Sequence, residues 1–437
     1  MEIANDSLRP THNADYMTDA GNFQPLVERL RAFGRTIPQE KVYIHMDNTS
    51  YQLGDTIWFS AYTRRTDRAL PSNVSGVLYV ELYGQDGYMI ERKLIQMCNG
   101  CGEGFFALNK MIQYAGLYEL RAYTRWQLNW GIYERKHSPY AYMWFDSKEL
   151  EHAYFKDYEK LYSRVFPVYD RPEQPGDFLR DITLRGKRRV FRKDKDKHEL
   201  SLKLFPEGGG LVNGLPCHIA FEATWNDGEW ANGWLYYGQD SVKVQNRGRG
   251  TFMVIPTEKK KQSVRFVSEE GTSVKANLPQ ADSIGVALHM QQTDLGRWTA
   301  QITTSPNLPA ESLGLTLMHE GCMLAFHHMT DLKSEKQGKT YDLNDSLLNA
   351  SGVYQITVFD SKGRVYADRL FFHRKDSDTK PTLSIQGLKK TYAPYESVDL
   401  RIKSLAGKGD VSLTVRDDNT RDLLYDNGSI LTEMLLA

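Results

Sequence analysis

Val42, Ile44 and Met46 alternate with Tyr43, His45 and Asp47. This two-residue apolar period belongs to a half-buried strand, because successive side chains of extended backbone point to opposite faces. Strand texture recurs at 56–62, 77–83 and 116–123, then at 218–224, 284–290, 298–304, 313–318, 352–359 and 369–372. Turn-forming sequences punctuate the runs: Tyr51-Gln-Leu-Gly-Asp55, Asp86-Gly87, Phe205-Pro-Glu-Gly-Gly-Gly210, Asn226-Asp-Gly228 and Ser361-Lys-Gly363. Glycine, asparagine and aspartate tolerate the positive φ that tight hairpin turns demand. Short strands at regular spacing predict an all-β chain of antiparallel sandwiches, each of about 100 residues.

One stretch breaks the pattern. Asp146 with Glu149 forms a capping box, and Leu150, Tyr154, Tyr158, Leu161 and Val165 recur at three- and four-residue steps. That spacing predicts a short amphipathic helix over 146–165. Pro167, Pro172 and Pro175 follow, then the run 185–197, where eight basic residues face two acidic ones. The region 167–197 is therefore expected to be an exposed linker. These breaks divide the chain into a polar segment (1–36), a first domain (37–147), a helix and basic linker (148–197), a second domain (198–280), a third (281–376) and a partial fourth (377–437). The polar segment carries one amphipathic stretch around Leu26, Val27, Leu30 and Phe33. Strands are expected near 383–386, 398–403 and 411–416. The fourth domain falls short of a whole sandwich and reads as truncated.

Lys and Arg (55) balance Asp and Glu (55), so no net field draws the whole chain onto nucleic acid or an anionic membrane. A hydrophobic content of 41% fills several cores and excludes wholesale disorder. No apolar run approaches the roughly 20 residues that span a bilayer. The polar start, Met1-Glu-Ile-Ala-Asn-Asp6, is not a signal peptide. The chain is then either cytoplasmic or shown without its leader.

The sequence also repeats itself. Tyr51-x-x-Gly-Asp-x-Ile57-x-Phe59 matches Tyr392-x-x-Tyr-Glu-x-Val398-x-Leu400, and Gly116-Leu-Tyr-Glu-Leu120 matches Gly352-Val-Tyr-Gln-Ile356. A repeated strand-turn-strand pattern means one sandwich design used several times. Glu40-Lys-Val-Tyr-Ile-His-Met-Asp47 followed by Tyr51-x-x-Gly-Asp-x-Ile-Trp-Phe59 resembles the opening of a macroglobulin-like domain of the alpha-macroglobulin superfamily. The nearest resemblance is to Bacteroidetes cell-envelope proteins with such domains in tandem. Phe205-Pro-Glu-Gly-Gly-x-Leu-Val-Asn-Gly-Leu-Pro216 and Ser351-Gly-Val-Tyr-Gln-Ile-Thr-Val-Phe-Asp360 are similar to the same proteins. The resemblance covers 37–145 and 198–437. It implies tandem seven-stranded sandwiches of immunoglobulin-like architecture, in the periplasm or at the outer-membrane surface of a bacterium. It implies a binding or scaffolding role toward a protein partner, a protease or an envelope receptor component. The superfamily's eukaryotic members trap proteases; the domain alone does not carry that activity over.

No Gly-x-Ser-x-Gly, His-Glu-x-x-His or phosphate-binding loop is present, so no enzyme, cofactor or metal is expected. Cys98-Asn-Gly-Cys101 reads as a local disulfide or two loop thiols, since redox pairs of this spacing sit at a helix N-terminus. Cys101-Gly-Glu-Gly104 resembles the superfamily's thioester sequence Cys-Gly-Glu-Gln. Gly104 replaces the glutamine that supplies the acyl group, so no covalent trap is expected. His327 and His328 neighbour each other on a strand and point to opposite faces. Trp225, Trp230, Trp234, Tyr236 and Tyr237 flank the turn at 226–228. Either they pack in the second sandwich, Trp225 and Trp234 above all, or they anchor a protein partner or stack on sugar rings. The latter makes a glycan-binding surface protein the alternative function. Arg188, Arg189 and Arg192 belong to a solvated linker or contact anionic polysaccharide or lipid headgroups. Trp58, between Ile57 and Phe59, is expected in the core.

Overall fold

A computed structural model describes residues 20–436 except 68–69, 85–88, 110–113, 131–160, 172–198, 227–228, 258–261, 294–295, 331–337, 345, 376–382, 405–409 and 417–427. Its contacts fall into two units. One is built from residues within Gln39–Phe145, Glu149–Val190 and Arg374–Ala437, the other from residues within Met1–Pro38 and Phe191–His373.

The first sandwich opens with β1 (Glu40–Met46), β2 (Tyr51–Gln52), β3 (Thr56–Arg65) and β4 (Leu70–Pro71). It continues through β5 (Val77–Tyr83), β6 (Met89–Gln96), β7 (Cys101–Ala107), β8 (Gly116–Tyr123) and β9 (Tyr162–Tyr169). β3 pairs with β1, β4 and β7, and the second sheet runs β2-β9-β8-β5-β6. Ile44, Ile57, Leu78, Val80, Phe106, Leu120 and Phe166 fill the space between the sheets.

Two expectations fail here. Residues 162–169 are a strand rather than the end of a helix and the start of a linker. Phe166 and Val168 reach the core, while the backbone pairs with β8 from Tyr162 to Val168. An apolar residue every three or four positions fits either structure over so short a span. The edge of β8, whose amides need partners, decides it. The remainder of the predicted helix, 146–160, lies outside the described residues. Trp58 is 56% exposed. Ile57 and Phe59 take the inward positions of β3, and Trp58 leans on Phe105, its partner across to β7, with ring centroids 5.0 Å apart and planes tilted by 41°. Trp58→Ala should therefore change stability by no more than about 0.5 kcal/mol. A calorimetric loss of about 3 kcal/mol, the cost of a core aromatic, would return Trp58 to the interior.

The sequence echoes are echoes of hydrogen bonding. Tyr51 Oη accepts the Asn48 N–H at 3.1 Å, and Asp55 accepts the Gln52 N–H at 2.8 Å. Tyr392 Oη likewise accepts the Lys389 N–H at 2.9 Å, and Glu396 accepts the Ala393 N–H at 2.7 Å. The residue before each acid, Gly54 and Tyr395, has positive φ, 98° and 61°. The second echo is a tyrosine corner. Tyr118 donates its hydroxyl proton to the Tyr114 carbonyl at 2.7 Å, and Tyr354 does so to Ala350 at 2.9 Å.

In the other unit the second sandwich sets β10 (Leu200–Pro206), β12 (Cys217–Trp225) and β15 (Arg249–Val254) against β13 (Gly233–Tyr237), β14 (Asp240–Lys243), β16 (Ser263–Ser268) and β17 (Ser273–Asn277). Short strands β11 (Leu211–Val212) and β18 (Ala281–Asp282) pair in parallel. The third sandwich sets β19 (Val286–Gln292), β20 (Trp298–Thr304) and β23 (Lys339–Leu343) against β21 (Leu313–His319), β22 (Cys322–Met329), β24 (Gly352–Phe359) and β25 (Val365–His373). Both therefore place three principal strands over four, the seven-stranded plan. The amphipathic stretch of the polar segment is helix α1 (Gln24–Thr36). With Phe23 it lays Val27 against Met323, Phe326 and Phe359 of the third sandwich. At its far end Gly34 meets the β21–β22 turn, where an added Cβ would stand 3.1 Å from Cys322 Cα.

Beyond residue 373 the chain rejoins the first unit. β26 (Leu383–Gln386) pairs with β27 (Arg401–Ser404). Residues 411–416, expected as a strand, pair with no described strand despite their alternation. A final helix, α2 (Ile430–Leu436), puts Met434 into the first core.

Candidate functional site

Pro206 ends β10, and Glu207–Gly209 makes a single 3-10 turn in which Gly208 and Gly209 have φ of 79° and 95°. Gly208 is buried. A Cβ there would stand 3.3 Å from Leu288 Cβ and 3.4 Å from Ala367 Cβ. Lacking a side chain, the turn of the second sandwich seats directly on β19 and β25 of the third. Glu207 fixes the seat. One carboxylate oxygen accepts the Met290 N–H at 3.0 Å, and the other accepts from His289 Nδ1 at 2.8 Å. Arg369 Nε lies 3.4 Å from the first oxygen. The Phe-Pro-Glu-Gly-Gly turn is thus the joint between two sandwiches.

His218, on β12, stacks on His289 with ring centroids 3.5 Å apart and planes within 10°. Glu207, His218 and His289 each bring a ligand-type atom within 4.8 Å of the others, the one such group among the described residues. Burial works to raise the Glu207 carboxyl, but the His289 and Met290 hydrogen bonds and the charges of His289 and Arg369 outweigh it and hold it below its ordinary value. Burial first, and His289 second, push His218 below its ordinary 6.5, with Glu207 opposing them. His45 and His327 are lowered by burial as well. Below pH 6.5 the unfolded chain then binds protons that the folded chain refuses, so stability rises with pH through this window and is lost as pH falls. Glu207 adds a loss of the same sign below its ordinary 4.5. The melting temperature should fall between pH 7.5 and 5.5, and less steeply in His218→Ala. A flat profile contradicts this.

β12 points Ile219, Phe221 and Ala223 inward and His218, Ala220 and Glu222 outward. Across the outer face Ala220 stands between Phe205 and Thr251, and Glu222 between Lys203 and Arg249. A groove of about 240 Å³ passes over Phe205, Ala220, Glu222, Asn246 and Arg249. Arg249 pairs with Glu222 at 2.7 Å and covers the Trp230 ring at 4.6 Å.

The predicted aromatic set divides. Trp225 is in the core, and Tyr237 is half-buried against Phe252 at 4.8 Å. Trp234, 43% exposed, is not in the core, because Leu235 takes the inward position of β13. Trp234 and Tyr236 share the outer face of that strand, with the Arg265 guanidinium 5.4 Å from the Tyr236 ring. Trp230 belongs with Arg249, on the other sheet. Arg188, Arg189 and Arg192 lie outside the described residues, as do Asp86, Gly87, Asp227 and Gly228. Sequence reasoning passed over Glu207, His218 and His289; only the motif around Glu207 signalled them.

Cys98 and Cys101 are thiols closing the β6–β7 hairpin, with both mutual backbone hydrogen bonds at 2.8 and 3.0 Å. Asn99 (φ 50°) and Gly100 (φ 74°) make the turn type I′. Burial, then Asp410, pushes the Cys101 thiol up to about 11, which disfavours the reactive thiolate. Gly104 lies in β7, where an added Cβ would stand 2.6 Å from Phe59 Cζ, so the thioester's glutamine has no room. Intact mass should be unchanged by methylamine. A gain with release of a thiol would make this chain a covalent trap. His327 faces Tyr341 and His328 faces Phe23, on opposite sides of β22. Among the described residues, no helix is long and apolar enough to cross a membrane.

No family model and no curated protein matches the chain. Among solved structures it is similar to native alpha-2-macroglobulin of Escherichia coli, over 89% of this chain and 26% of that one, at 12% identity and a TM-score of 0.22. It is similar to dimeric latent PorU of Porphyromonas gingivalis over 77% and 34%, at 11% identity and a TM-score of 0.27. A tetra-tandem repeat from the extending region of a large adhesion protein matches over 77% and 74%, at 9% identity and a TM-score of 0.17. The chain spans about a quarter of the macroglobulin and a third of PorU.

Proposed function

We propose that this protein is a non-enzymatic binding or scaffolding component of a bacterial cell envelope, made of macroglobulin-like sandwiches in tandem. It recognises a protein partner, a protease or an outer-membrane receptor component, without a thioester. The supporting observation is the pair Trp234 and Tyr236 on the outer face of β13 with Arg265 beside them. Tryptophan, tyrosine and arginine combine large rigid area with a polar handle and dominate the energetics of protein interfaces. The joint at Glu207 suits a spacer that presents such a face in a fixed pose. The envelope setting rests on the sequence resemblance.

A photo-crosslinking residue at position 234, in envelope extracts of a Bacteroidetes host, should give a discrete protein adduct. Tyr236→Ala and Arg265→Ala should each weaken it about tenfold or more. Absence of any adduct contradicts the reading. An exposed tryptophan ring also stacks on a pyranose face, so glycan binding is the second reading. A glycan-array signal lost in Trp234→Ala favours it, and a flat array removes it.

A further inference from the structure

We propose that Glu207, His218 and His289 bind one divalent transition-metal ion, with zinc as its probe, at the joint between the second and third sandwiches. The donors are two imidazole nitrogens and a carboxylate oxygen. That mixed set suits zinc and its neighbours, whereas calcium and magnesium take shells of oxygen. The three ligand atoms lie within 4.8 Å of one another. Around a tetrahedral ion with bonds of about 2.0–2.2 Å, ligand atoms stand roughly 3.3–3.6 Å apart, so the triad is already nearly closed.

His289 Nδ1 donates to Glu207 at 2.8 Å. The ion takes the place of the proton in that bond: nitrogen and oxygen both become ligands, the proton passes to the ring's Nε2 when that nitrogen is bare and to solvent when it already carries a proton, and the two atoms separate by a fraction of an ångström. The parallel rings need one further movement. An ion lies in the plane of each imidazole it binds, and planes within 10° do not converge on a point. His218 is the ring that turns. It makes no hydrogen bond among the described residues, whereas His289 is held by Glu207. The Met290 N–H on the other oxygen keeps the carboxylate oriented, as outer partners do in metal sites. Arg369, 3.4 Å from that oxygen, repels a cation, so affinity is expected in the micromolar range. Glu207 and His218 belong to the second sandwich and His289 to the third, so the ion ties the two together.

The test titrates the untagged, chelator-washed chain with zinc chloride by calorimetry. One equivalent should bind, and zinc should raise the melting temperature. Cobalt in its place should develop the visible bands of a low-symmetry site. His218→Ala, which removes no hydrogen bond, should melt like the parent at pH 7.5 without metal and lose affinity tenfold or more. His289→Asn keeps a donor toward Glu207 where Nδ1 stood and should lose as much. A chain with Cys98→Ser and Cys101→Ser should bind normally. No saturable binding, unchanged affinity in both histidine variants, or loss in the cysteine variant each overturns the proposal.

Discussion

Tyr354→Ala should cost the third sandwich about 3–5 kcal/mol, as for other wholly buried aromatics. Tyr354 is inaccessible to solvent and stacks on His319 at 4.2 Å and Phe371 at 5.6 Å. Its hydroxyl bonds both ways with Ala350, donating at 2.9 Å and accepting the amide at 3.3 Å. Alanine leaves a cavity and two unpaired backbone groups. Against a typical domain stability of about 5–15 kcal/mol, the loss is enough to open this sandwich. Hydrogen exchange should rise across 286–373 and in α1, and stay low across 40–107. Tyr354→Phe keeps the ring and should cost only about 1 kcal/mol. Equal losses in the two variants would mean that the ring fills no cavity.

Gly100→Val should prevent the first sandwich from folding. Gly100 has φ 74°, which a β-branched residue reaches only with strain. An added Cβ would also stand 2.5 Å from the Thr63 carbonyl oxygen and 2.9 Å from the Ser72 nitrogen. Those are backbone atoms of the neighbouring strands and cannot swing away. Asn99→Gly, one residue earlier in the same turn, keeps the positive φ and should change stability by a few tenths of a kcal/mol. A soluble Gly100→Val chain with the parent's melting temperature would refute the tight packing of this hairpin.

The strands were legible where inward apolar residues truly alternate with others, as at 42–47 and 218–224, because a two-residue period fixes both conformation and facing. The two repeated tyrosines were legible because each serves the same local backbone need. Trp58 was not, since Ile57, Trp58 and Phe59 are all apolar and local pattern cannot choose the inward set. The register chooses it: Met46 and Ile44, unambiguous in β1, stand opposite Phe59 and Ala61. Strand β9 was misread because its partner β8 is distant in sequence. The triad Glu207, His218 and His289 comes from three separate stretches with no shared period. Only the seating of one sandwich on the next brings it together.

Helix α1 precedes every described strand, yet Cys322 Sγ meets the Gly34 carbonyl from 288 positions away. A ribosome adding roughly 5–20 residues per second makes the helix roughly 15–60 s before its seat exists. Through that interval Phe23, Val27 and Leu30 find no Phe326 or Phe359 to lie against, while the 40–107 strands have already emerged. A helix made before its seat is then among the last elements to dock, and its apolar stripe is offered to chaperones throughout. Nascent chains stalled at about residue 300 should be cut readily within α1, whereas chains stalled at about residue 430 should resist, since by then the β21–β25 strands have cleared the tunnel.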